Sequence, residues 1–254
     1  MPHEPCKVNR RELMLASLGL LLAPTARALG PGSRFDIAEL LLPSGSLSRP
    51  EAWTRMLYEV IQSTSVEADP MPVSVAPEDP LLFAHPFTVL IAGAALPVLP
   101  DAAVQQLGRY LAYGGFLLID DATANPGGPV ERSVRDLCAR LYPTRPLSPL
   151  PGDHSIYRSF FLLDRPVGRL AVRDVLEGVT TGPTTPLVFC GNDLSGALAR
   201  GGDGRERFPV VPGGEAQRRE ALKLGVNLVL YSLTSNYKHD IAHELQLKRE
   251  GRLE

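Results

Sequence analysis

The chain has 254 residues, 44% hydrophobic and 21% charged, which is ordinary globular composition and enough to build a medium-sized core. A formal charge of only -2 excludes a global basic footprint for nucleic acid. The 24 prolines and 23 glycines read as tight connections rather than disorder, because apolar segments separate the proline clusters.

Residues 1–28 read as an address rather than part of the fold. Asn9-Arg10-Arg11-Glu12-Leu13 resembles a twin-arginine export signal. The apolar run from Leu13 to Ala23 that follows is too short for the roughly 20 residues a bilayer-spanning helix needs. Ala26-Arg27-Ala28 supplies a small-residue cleavage site. The expectation is therefore a periplasmic or exported protein, handled by the twin-arginine export machinery. The general secretory route and an uncleaved anchor are the alternatives. Cys6 leaves with the signal, so Cys138 and Cys190 remain and are expected as two buried free thiols.

The mature chain alternates strands and helices. Phe35 to Leu42 opens with apolar/polar alternation and predicts the first strand. Pro43-Ser44-Gly45 ends it. A helix follows, with Ser48 or Arg49 near its cap and Pro50 in its first turn. Trp53, Met56, Leu57, Val60 and Ile61 recur at three- and four-residue steps and predict its core face. A short extended piece is expected near Val73–Val75 and one helical turn near Pro80. Phe87 to Gly93 is a continuous apolar run and predicts a buried strand. His85 lies just before it and reads as structural.

The chain is organised around Tyr113-Gly114-Gly115-Phe116-Leu117-Leu118-Ile119-Asp120-Asp121. A helix from about Leu99 to Ala112 runs into two glycines, a short apolar strand and two adjacent carboxylates. Ligands of open α/β sheets sit outside the carboxyl ends of the strands, which makes Asp120 and Asp121 candidate site residues. Alternation places them on opposite sides of the strand. The two glycines precede a strand, so they do not form a dinucleotide or phosphate loop. A helix over Val130 to Tyr142 is followed by a proline-rich connection and a second polar cluster, Asp153-His154. Leu187 to Cys190 predicts another buried strand, with Gly191-Asn192-Asp193-Leu194-Ser195-Gly196 as its polar exit. Residues 200–214 read as a loop, Glu215 to about Leu233 as the last long helix, and 236–254 as a polar tail with a short helix. The domain is expected over 29–235. The pattern predicts an α/β fold, a mainly parallel sheet covered on both faces.

Four segments together resemble the family called domain of unknown function 4159. They are the Tyr113–Asp121 stretch, Asp153-His154-Ser155-Ile156-Tyr157, Asn192-Asp193-Leu194-Ser195 and Gly225-Val226-Asn227-Leu228-Val229-Leu230-Tyr231. The resemblance covers roughly residues 35–233. It implies a three-layer, flavodoxin-like fold of the class I glutamine amidotransferase-like type, and a membrane-associated envelope protein as partner. It names no activity and no cofactor. The chain departs from true amidotransferases. Val188-Phe189-Cys190-Gly191-Asn192 lacks the first glycine and the spacing of the tight turn that exposes a nucleophilic cysteine, and no His-x-Glu follows.

Two functions follow. One is a non-amidotransferase binding or assembly module of the envelope, with Tyr157, Phe160 and Phe161 as candidates for an exposed aromatic patch near the rim. The other is a metal-dependent or carboxylate/His hydrolase. Asp120, Asp121, Asp153, His154 and Asp193 are then the polar site, and Asp121 with His154 are the candidate catalytic and metal-ligating pair. That second reading requires Asp121 and His154 within ligand reach of each other.

Overall fold

Strands β4 (Phe87–Ala92) and β5 (Phe116–Asp121) form the centre of the sheet, and every residue of both is buried. The computed structural model describes residues 34–249, with side chains as far as Ser235. The expected export signal at 1–28 lies outside the described residues. Around the two central strands the chain adds β1 (Ile37–Leu40), β2 (Ser46–Leu47), α1 (Pro50–Ser63), β3 (Val73–Val75), α2 (Asp101–Ala112) and α3 (Pro129–Leu141). The second half adds β6 (Ser148–Pro149), β7 (Glu177–Thr181), β8 (Thr184–Cys190), α4 (Leu194–Leu198) and α5 (Gly214–Arg249). Short 3₁₀ turns occupy Pro80–Ala84 and Ser155–Arg158.

The sheet order is β3-β1-β4-β5-β8-β7-β6. The first five of these strands are mutually parallel, whereas β7 and β6 extend the β8 edge antiparallel. The chain is therefore an α/β protein with a mixed, mostly parallel central sheet. Strand alternation assigns the two faces. Ile37, Phe87, Val89, Phe116, Leu118, Val188 and Cys190 face the side covered by α1, α4 and α5. Ala38, Leu40, Leu90, Leu117, Ile119, Leu187 and Phe189 face α2 and α3. Helix α1 buries Trp53, Met56, Leu57 and Val60 as one stripe, as the three- and four-residue spacing predicts. Each such side chain contributes roughly 1.5–3 kcal/mol of burial free energy.

The glycine pair before β5 has two separate causes. Gly114 adopts φ +97° where α2 ends, a region that favours glycine. At Gly115 a Cβ would lie 2.3 Å from the Tyr110 ring. Tyr110 spans from α2 to the strand starts, where its hydroxyl donates to the carbonyls of His85 and Phe116. His85 itself pairs with Asp36 at 2.9 Å, a structural contact at the amino-terminal end of the sheet.

Some elements differ from their sequence expectation. Leu194–Leu198 forms a short helix where a polar loop was expected. The backbone of α5 stays helical to Arg249, past the expected end near Leu233. Both cysteines are buried and unpaired, as expected, and they lie on opposite faces of the sheet.

Candidate functional site

Asp120 and Asp121 leave the carboxyl end of β5 in opposite directions, as alternation requires. On the α2/α3 face, Asp121 Oδ1 accepts from the Thr123 amide at 2.8 Å, the Thr123 hydroxyl at 2.6 Å and the Ala124 amide at 3.2 Å. It shapes the strand's exit loop, which contains Ala124 at φ +46°. On the α1/α5 face, Asp120 accepts from the Leu194 amide at 2.7 Å and the Ser195 amide at 2.8 Å. It thereby caps α4 from a neighbouring strand.

Asp193 joins Asp120 at the same place. It occupies the left-handed region (φ +54°, ψ 64°) and accepts from the Gly196 amide. Its carboxylate is fully buried and lies between two arginines, Arg49 Nη1 at 2.6 Å and Arg169 Nε. Arg49 also donates to Ser195 Oγ at 3.0 Å, and its backbone amide donates to Glu39 Oε1 at 2.8 Å. The Phe208 ring lies 5.0 Å from the Arg49 guanidinium carbon. Glu39, Arg49, Asp120, Asp193 and Ser195 are all buried. They tie β1, α1, β5, β8 and α4 together at one end of the sheet.

The turn after β8 is the sharp strand-to-helix type that can present a nucleophile. The left-handed residue in it is Asp193 rather than Cys190. Cys190 ends β8 in register with Asp120, is fully buried, and has its thiol pushed well up by that burial. Burial likewise pushes the Cys138 thiol up to about 12. Neither is an available thiolate. In the Asp193 carboxylate both oxygens are engaged by guanidinium groups.

The rim around this cluster is filled by the protein's own chain. Strand order reverses between β1 and β4, the place where doubly wound sheets open a ligand crevice. Here β2 returns antiparallel along the last residues of β4, and Leu47 packs so closely that a Cβ on Gly93 would meet it at 2.5 Å. Over β8 lies a strap, residues 166–173. A Cβ on Gly168 would stand 2.2 Å from the Asn192 carbonyl oxygen. Buried Asn192 uses its whole side-chain amide on the strap. It donates to the Pro166 and Arg173 carbonyls and accepts from the Val172 and Arg173 amides. Gln217 on α5 donates to the Gly168 carbonyl at 2.8 Å. The strap continues to Arg173, which pairs with Glu131 on the opposite face. A cavity of about 310 Å3 lies beside the end of α3 and is lined by Arg135, Tyr142, Pro143 and Leu147 among others.

His154 is not part of the rim. Its Nδ1 accepts from the Ile156 amide at 3.3 Å, capping the 3₁₀ turn, and its Nε2 contacts Thr185 Oγ1 at 3.1 Å. Burial holds the imidazole below its usual range, against the opposing pull of Asp153, so the neutral ring caps and donates. Thr185 stands at the start of β8, five residues before Cys190. At about 3.3 Å per residue, the two ends of that strand are roughly 16 Å apart. Asp121 and His154 therefore do not meet, and Asp153, exposed beside His154, lies at the far end too. Among the described residues no three His, Cys, Asp or Glu side chains converge to hold a metal ion. Of the five expected site residues, the structure brings together Asp120 and Asp193. The sequence reading missed Glu39, Arg49, Arg169 and Ser195. The one local signal for the first of these was a carboxylate inside an otherwise apolar strand.

The aromatic candidates separate as well. Tyr157 is buried, with its hydroxyl accepting from the Leu176 amide. Phe160 and Phe161 pack edge to face at 4.8 Å on the flank of α5 rather than at the rim. Asn227, fully buried, accepts from both of their amides and donates to the Ile156 and Phe161 carbonyls. This leaves Phe160 half exposed and Leu162 86% exposed.

No curated protein matches the chain in sequence. Residues 36–233 match the family described as Domain of unknown function (DUF4159), and the protein belongs to that family.

Proposed function

We infer that the protein is an exported module of the cell envelope that binds or assembles with a membrane-associated partner and carries out no amidotransferase chemistry. The observation that carries this reading is the occupied elbow. Asp193 stands where a nucleophile would be presented, buried and paired with Arg49 and Arg169 beneath the strap. Strand order supports the flavodoxin-like, amidotransferase-like form of the fold. Numbered along the chain, the five parallel strands run 2-1-3-4-5 across the sheet, the order of flavodoxin-type doubly wound proteins. The paired arginines at 10 and 11 before a short apolar run support export by the twin-arginine route. The Phe160-Phe161-Leu162 turn, held by Asn227, supports a protein-binding surface, since it exposes neighbouring apolar side chains.

The test uses the full chain with a carboxyl-terminal tag in bacteria with and without a working twin-arginine system. The expected result is a processed form in the envelope fraction that disappears in the deficient strain and in the Arg10→Lys/Arg11→Lys variant. Cross-linking of the exported form is expected to give an adduct with a membrane protein, reduced by Phe160→Ala/Leu162→Ala. Cytoplasmic retention of the wild type would overturn the export reading. Hydrolytic turnover abolished by Asp121→Ala or His154→Ala would overturn the non-catalytic one.

A further inference from the structure

We propose that the strap over the carboxyl end of β8 is a pH-responsive cover, clasped while the Asp120–Asp193 pair holds a proton and loosened when that proton leaves. The argument starts from charge. At the rim the buried carboxylates of Asp120 and Asp193 lie beside two guanidinium groups, Arg49 and Arg169, while Glu39 accepts only from the Ser48 hydroxyl and the Arg49 backbone amide. Both guanidinium groups bond Asp193, and none bonds Asp120. Asp120 and Asp193 nevertheless converge on three successive amides of one helical turn, Leu194, Ser195 and Gly196. Two carboxylates so placed repel each other when both are ionised, and one proton relieves that repulsion. Burial first, and the Asp193 charge second, push Asp120 up to about 7, opposed by its bonds to Ser195 and Leu194.

The other elements around the pair do not neutralise it. Arg49, just before α1, is already bonded to Asp193. Strand β8 contributes the buried Cys190 thiol, and α4 contributes the Ser195 hydroxyl. Arg218 on α5 faces away, bonding the Ala197 carbonyl and pairing with Glu206 and Glu215. Asp121 points to the other face, as do Glu131 and the Arg173 guanidinium bonded to it. The strap is attached to this pair directly. Arg169 bonds the Asp193 side chain, the Arg169 amide donates to the Asp193 carbonyl at 2.8 Å, and the Leu170 amide donates to the Asn192 carbonyl. Lifting the strap therefore admits water to the pair, which lowers the cost of ionising both carboxylates.

The sign follows from linkage. An acid whose folded value lies above its unfolded value of about 4 stabilises the fold fully below that unfolded value. That contribution is lost as pH rises through about 7. The strap is accordingly tighter at pH 5.5 than at pH 8.5. This inference does not rest on the domain being a binding module.

The test is amide hydrogen exchange of the full chain between about pH 5.5 and 8.5, corrected for intrinsic exchange and referenced to the central strand β5. Protection of the Arg169 and Leu170 amides is expected to fall by roughly tenfold relative to β5 across that range, the equivalent of one pKa unit. In Asp120→Asn the profile is expected to be flat. Asparagine places an amide opposite two backbone donors, so that variant can unfold. The carbon-13 shift of the Asp120 carboxyl in the native chain supplies an independent reading and is expected to titrate near neutrality. Unchanged strap protection across the range would overturn the proposal. So would the same fall in Asp120→Asn, or a carboxyl that titrates below about pH 5.

Discussion

Two ionic clusters hold the same rim from opposite faces, and they are built differently. On the α1/α5 face, Asp193 is fully buried between Arg49 and Arg169, with Asp120 beside it and no cation of its own. On the α2/α3 face, Glu131 and Glu177 share Arg135, and Arg173 adds a second bond to Glu131. There each carboxylate is bonded to a guanidinium group, and the Arg135 side chain is 40% exposed. The strap joins the two clusters, through Arg169 at one and Arg173 at the other. A buried cluster fails when one member is removed, because the remaining charges are stranded away from water. A half-exposed cluster loses only what solvent and salt leave to it. The contrast makes the first cluster the one whose loss costs most and the second the one that solvent and salt reach.

Removing Asp193 is the strongest challenge to that contrast. Asp193→Ala leaves Arg49 buried and unpaired and is expected to cost about 3–5 kcal/mol in chemical denaturation. A loss under about 1 kcal/mol would make the two clusters equivalent. Glu131→Gln is expected to cost about 1.5–3 kcal/mol at neutral pH, the range for hydrogen bonds to a charged group. Hydrogen bonds from the Gly127 amide, Arg135 and Arg173, outweighing the opposing effect of burial, lower the Glu131 carboxyl to about 2. Its contribution is therefore complete above the usual glutamate value near 4.5 and is lost as pH falls through about 2. The gap between wild type and Glu131→Gln should close across that window, and a gap that stays constant would show that the charge is not what the site uses.

Salt supplies a finer comparison. Raising sodium chloride to about 1 M should weaken Arg173→Ala's measured penalty to near zero while leaving that of Asp193→Ala almost unchanged, because screening reaches exposed pairs. The smallest effect belongs to the far end of the sheet. His154→Gln removes a cap and a contact with Thr185, is expected to cost about 1 kcal/mol or less, and should leave strap exchange unaltered. Altered exchange at Arg169 in that variant would couple two ends that the structure keeps apart.

How much of this was legible beforehand depended on range. The apolar runs Phe87–Ala92 and Leu187–Cys190, and the carboxylates that end Phe116–Asp121, announced buried parallel strands and a polar rim. Period-two alternation separated Asp120 from Asp121, and the structure places them on opposite faces. The two thiols read as buried and free, and they are. Weak local signals were lost. Strands β2 and β6 have two residues each, too few to carry a period, and α4 has five.

The candidate site shows the division most clearly. By itself, the sequence determined which stretches are strands, which side chains can be buried, and that carboxylates would end β5 and follow β8, because those properties depend on neighbours one to four positions away. Only the tertiary structure decided what the carboxylates do. Arg49 reaches Asp193 across 144 residues, and Asp120 meets the Ser195 amide across 75. His154, nearer to Asp121 along the chain than Asp193 is, lies at the opposite end of the sheet. Sheet order and register set those distances, and no local periodicity specifies which end of a strand a distant loop will reach.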